Sequence, residues 1–112
     1  MNWLTRIRTR ISRRQVKRWA ESIAERCWLR VWQRVADRVG EMPLAEARGY
    51  VRARAVAVVR RQVASDLRYR QASAKLADVL TCSAVEHLAT ALAERAANVE
   101  LPTVPGAWRQ AA

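Results

Sequence analysis

Apolar side chains recur along most of this chain at intervals of three and four, the period of an amphipathic helix rather than of a strand. In residues 1–11, Trp3, Leu4, Ile7 and Ile11 gather on one side of a helical wheel, while Arg6, Arg8, Thr9 and Arg10 take the remainder. The stripe then changes phase. Val16, Trp19, Ala20, Ile23 and Cys27 lie about 150° from the first set at 100° per residue, so one straight helix cannot bury both. Ser12 stands at the break with Gln15 three positions on, the spacing of a capping box, and predicts a helix starting near Arg13.

That helix is expected to run to about Val39. Val16, Ala20, Ile23, Cys27, Val31, Val35 and Val39 are nearly all four apart, with Trp19, Trp28 and Trp32 widening the stripe. A four-residue step overshoots one turn by about 40°, so the buried stripe winds around the helix and suits more than one neighbour. Gly40 and then Pro43 mark its end. Pro43 suits a first helical position, Glu46 favours the same end through the helix dipole, and Leu44, Ala47, Val51, Ala55 and Val58 line one side of a second helix. It is expected to reach Arg68 to Arg70, with Gly49 costing about 1 kcal/mol relative to Ala. Val56, Val58, Val59 and Val63 are β-branched, but the alanine density and the lack of flanking turn residues argue against a strand.

From Gln71 the chain is alanine-rich. Leu76, Ala77, Val79 and Leu80 read as the end of a helix, either continuous with the second or separate from it. Ser83 and Glu86 repeat the capping-box spacing ahead of Val85, Leu88, Ala89, Leu92 and Ala96, and Asn98 can close that element. Pro102, Pro105 and Gly106 predict an extended tail. The expectation is an all-α fold: a small bundle of three to four helices over residues 12–100, an amphipathic arm over 1–11 and a tail over 101–112.

Length and composition narrow the class. A chain of 112 residues, 51% apolar, supports one domain with a real core and is neither collagenous nor a low-hydrophobicity disordered chain. No uncharged apolar run approaches the roughly 18–20 residues that span a bilayer, so a spanning helix is not expected. The arginines at the start are not followed by an unbroken apolar run, as a secretory signal requires. The acid-free first twenty residues do have the look of a mitochondrial transit peptide, but removing them would damage the first helix. Two cysteines, Cys27 and Cys82, fit a reduced compartment, and the cytoplasm is the default location.

Charge is the most informative property. The formal net charge is +11, and arginine outnumbers lysine 19 to 2. Residues 1–40 carry a net +8, residues 41–70 a net +4 and residues 71–112 a net −1, so the first two thirds attract a polyanion and the last third does not. Arg26, Arg30, Arg34 and Arg38 form a ridge with steps of about 6 Å. Arg6, Arg8, Arg10, Arg13, Arg14, Lys17 and Arg18 crowd the arm and the joint behind it. Guanidinium groups grip phosphate with a two-pronged fork that lysine lacks. Without an anionic partner the same side chains are only a solvated face.

Three functional classes follow. The first is a non-enzymatic nucleic-acid-binding protein using phosphate contacts through the arm and the ridge, with little sequence specificity. The second is a peripheral membrane protein, because Trp3, Leu4, Ile7 and Ile11 opposite arginines meet the needs of a headgroup-level helix. The third is an assembly module that binds an acidic partner or itself, through Trp28 and Trp32. Trp19, Trp28 and Trp32 follow the apolar stripe and are expected in the core, leaving Trp3 and Trp108 available for other contacts. His87, with Cys82 and Glu86 nearby, lacks the second Cys/His pair of a zinc site, and isolated Gly40, Gly49 and Gly106 build no phosphate loop. No metal, cofactor or catalytic set is expected. Glu21 and Glu25 lie within reach of Arg18 and Arg26, as ordinary surface pairs.

Overall fold

A computed structural model describes residues 12–100, in which α1 (Arg13–Val39), α2 (Leu44–Arg70) and α3 (Ala77–Glu100) pack side by side, with a single 3-10 turn over Ala74–Leu76. The described residues contain no strand, so the fold is all-α with three α-helices. The arm with Trp3, Leu4, Arg6, Ile7, Arg8, Arg10 and Ile11, and the tail with Trp108, lie outside the described residues.

The start of α1 follows the sequence closely. Ser12 Oγ accepts from the Gln15 amide at 3.1 Å, and Gln15 Oε1 accepts from the Ser12 amide at 3.0 Å, completing the capping box. Its end differs in detail. Gly40 sits at φ −68, an ordinary right-handed conformation, and the chain leaves through tight bonds from Glu41 to Arg38 and from Met42 to Val39. Pro43 precedes α2 as its cap rather than as its first helical residue, and its carbonyl accepts from Ala47 at 2.8 Å.

The link to α3 corrects two expectations. Gln71 adopts φ 54, the left-handed conformation that closes α2, and Ala72 donates back to the Leu67 carbonyl at 2.9 Å. Leu76, Ala77, Val79 and Leu80 therefore begin the third helix instead of ending the second. The Ser83–Glu86 box does not form either: the helix is already under way, started by Ser73 accepting from Lys75 at 3.1 Å. Glu86 instead reaches across to Arg52 of α2.

Valines from α1 and α2 and leucines from α3 fill the core, with Ile23, Val31, Val35, Val51, Val59, Leu80, Leu88 and Leu92 fully buried. Alanines 20, 24, 47, 55, 84, 89 and 93 are buried between them, which lets the backbones approach closely. The winding stripe of α1 meets both neighbours: one edge bonds to α2 through Arg26 and Arg30, and the other carries Trp28 and Trp32, over which Arg95 of α3 lies. Leu44, expected on the inward side of α2, is 44% exposed, because it occupies the first helical position, beyond the reach of the core.

One segment, Ala74–Asn98, is long and apolar enough to cross a bilayer, with a mean hydropathy of 1.3 in its most apolar window. A search for uncharged runs passes over it because Asp78 and Glu86 interrupt it. Of that window, 44% is buried within the bundle.

Candidate nucleic-acid interface

Asp66 is the centre of the α1–α2 seam. It is 7% exposed and accepts from Trp19 Nε1 at 2.9 Å, from Gln62 Nε2 at 3.0 Å and from both ends of the Arg26 fork, the Nη1 bond measuring 3.0 Å. Burial pushes the Asp66 carboxyl up, but the hydrogen bonds from Arg26, Trp19 and Gln62 together outweigh it and hold the group below the usual carboxylate range. The same pair raises the Arg26 guanidinium, chiefly through its hydrogen bond to Asp66.

Arg26 is thus a structural residue. Expected in a ligand-facing ridge, its guanidinium fork is engaged by the Asp66 carboxylate inside the protein, which takes up the donors it would offer a phosphate. Arg30 comes next, donating to Gln62 Oε1 at 3.1 Å and lying 3.9 Å from Cys27 Sγ, and neither partner is a carboxylate. Burial pushes the Cys27 thiol up, so it behaves as a small apolar core group. Arg34 and Arg38 are exposed, and among the described residues neither forms an ion pair.

A matching series on α2 faces this ridge. Arg26 meets Asp66 and Arg30 meets Gln62, so a forward step of four on α1 corresponds to a backward step of four on antiparallel α2. Arg54 falls on the same α2 series, two further steps of four from Gln62, and among the described residues neither it nor Arg34 or Arg38 forms an ion pair. Arg54 lies over the Tyr50 ring at 5.1 Å, a cation–π contact that fixes the guanidinium without neutralising it.

At the other end of the seam α1 begins and α2 finishes. Arg70 lies 4.2 Å over the Trp19 ring, and Gln15, Arg18, Trp19, Ser22 and Arg70 line an open cleft of about 310 Å³. Arg13 and Lys17 turn toward Val79 and Ser83 of α3 around a second cleft, and Arg14 is exposed nearby in sequence. Arg68 lines a third, larger and mostly apolar cleft with Arg60, Val63 and Leu67. Basic groups from two helices therefore converge on one end of the bundle.

Arg54, Arg68 and Arg70 were absent from the candidates read off the sequence, because a ridge was sought within one helix. The four-residue series on α2 through Arg54, Val58, Gln62, Asp66 and Arg70 was the available signal for two of them; Arg68 falls outside it. On the α2–α3 side one arginine is neutralised: Arg52 Nη2 donates to Glu86 Oε1 at 2.9 Å, and this bond lowers the Glu86 carboxyl.

The Trp28 and Trp32 rings stack at 6.2 Å and are half-buried against the core with Arg95 over both. Leu29 beside them is 56% exposed. No group of three metal-ligating side chains occurs among the described residues; Cys82 and His87 are exposed on α3. No family model, curated protein or solved structure matches this chain.

Proposed function

We propose that the protein binds nucleic acid through its phosphates, along the α1–α2 seam and the cationic end that continues it. The observation that carries this reading is a set of guanidinium groups that form no ion pair among the described residues: Arg18 and Arg70 at one end, then Arg30, Arg34, Arg38 and Arg54, interrupted by the neutral Arg26–Asp66 pair.

The dimensions suit the ligand. From Arg18 to Arg38 the helix rises about 30 Å, and phosphates advance about 3.4 Å per step along a duplex strand, so the seam matches close to one turn. Such contacts fix position and orientation but read no bases, so affinity depends on salt far more than on sequence.

The direct test compares a 30-base oligonucleotide with anionic vesicles, using one preparation of the full chain. Arg30→Glu with Arg34→Glu should weaken oligonucleotide binding about a hundredfold or more. Arg61→Glu with Arg95→Glu, an equal charge change away from the seam and its cationic end, should cost less than about tenfold. Equal losses in the two variants, or binding to vesicles without binding to the oligonucleotide, would refute the proposal.

A further inference from the structure

Within that surface one place differs from the rest. Most of the arginines are long, exposed side chains that must be ordered when a ligand arrives. Arg70 is already ordered, because its guanidinium lies 4.2 Å over the indole of Trp19. Trp19 is itself held, being 4% exposed and donating through Nε1 to Asp66 at 2.9 Å. Asp66 in turn accepts from Arg26 and Gln62. The chain of contacts thus runs from a buried carboxylate through an indole to a guanidinium at the surface.

Asp66, four residues before Arg70 on α2, is engaged by Trp19, Arg26 and Gln62 and forms no ion pair with Arg70, and among the described residues no acidic side chain lines the cleft. Around the cleft, Arg18, the Gln15 amide and the Ser22 hydroxyl supply further donors, and Gln15, Arg18, Trp19 and Ser22 share one face of α1 by their three- and four-residue spacing. Its volume of about 310 Å³ admits a tetrahedral oxyanion together with part of the chain that carries it.

We propose that this cleft is the anchoring seat for one backbone phosphodiester of the bound nucleic acid, gripped by the Arg70 fork and by Arg18. The inference rests on the nucleic-acid reading above and adds to it a preorganised guanidinium that, with Arg18, borders a cleft able to receive one phosphate. Holding the fork flat on an indole before the ligand arrives removes part of the ordering cost from the binding step. Lysine, a compact charge on a flexible stem, cannot reproduce that fork.

The experiment uses the full chain and a fluorescein-labelled 30-base oligonucleotide at 100 mM salt, with circular dichroism to confirm that each variant is folded. Arg70→Lys keeps the charge and should still weaken binding about tenfold, leaving the salt dependence nearly unchanged. Arg61→Lys, on an exposed part of α2, should bind as the unaltered protein does. Arg70→Gln should lose more than Arg61→Gln. Combining Arg18→Gln with Arg70→Gln should cost less than the product of the two single losses, because both grip one phosphate. The seat is overturned if Arg70→Lys binds like the unaltered chain, or if Arg70→Gln and Arg61→Gln lose equally; in either case the broader reading survives. If the unaltered chain binds no oligonucleotide, both proposals fall.

Discussion

Arg26 and Asp66, forty residues apart in sequence, form a two-pronged ion pair that ties the middle of α1 to the last turns of α2. The two ends of the pair differ in solvation: the Arg26 side chain is 46% exposed and that of Asp66 only 9%. Removing one partner therefore has unequal consequences. Arg26→Met leaves a buried carboxylate with only neutral donors and should cost about 2–3 kcal/mol. Asp66→Asn keeps an acceptor for Trp19 and lets Arg26 turn to water, and should cost about 1 kcal/mol. Urea unfolding of both variants checks this order; a larger loss for Asp66→Asn would contradict the geometry.

Acid should act on the same group. Because the Asp66 carboxyl is held below its ordinary value of 3.8, the ionised form favours the folded state. Its contribution is fully present above that value and is lost as pH falls from there through the lower folded value. Stability of the unaltered chain should decline over this window, and Asp66→Asn should flatten the decline. Urea midpoints measured at about pH 5 and at intervals down to about pH 2 test it; parallel pH profiles would show that Asp66 is not the group responsible.

Gly49 lies inside α2, and a Cβ built on it meets nothing within 4 Å. Gly49→Ala should therefore stabilise the protein by about 0.5–1 kcal/mol, through helix propensity and a less flexible unfolded chain. A thermal melt should show the midpoint rising; a fall would mean that the helix surface there is occupied.

At Gln71 the backbone takes φ 54, where a side chain costs energy and glycine does not. Gln71→Gly should be neutral or stabilising by up to about 1 kcal/mol, unlike most glycine substitutions, and the same melt reads it.

The helices themselves were legible in the sequence wherever periodicity and a stop signal agreed. Ser12, Gln15, Gly40 and Pro43 bracket α1 correctly because each acts on its immediate neighbours. The link after α2 was hidden, because Gln71 carries no glycine or proline signal and its left-handed turn is imposed by packing. Ser83 and Glu86 had the spacing of a cap but formed none, since Glu86 found Arg52 on another helix. The candidate surface divided in the same way. Spacing along α1 revealed the four-step ridge, but the loss of Arg26 to Asp66 and the arrival of Arg70 beside Arg18 depend on which helices become neighbours.

The salt dependence of oligonucleotide affinity tests the central claim most directly, namely that arginines left without carboxylates on the α1–α2 seam hold nucleic-acid phosphates. For the full chain, log K should fall linearly with log salt between about 50 and 200 mM, with a slope of about −4 or steeper. Replacing Arg30, Arg34 and Arg38 together with Gln should make that slope shallower by about 2–3. A nearly flat slope for the unaltered chain, or the same slope in the triple variant, would contradict the account.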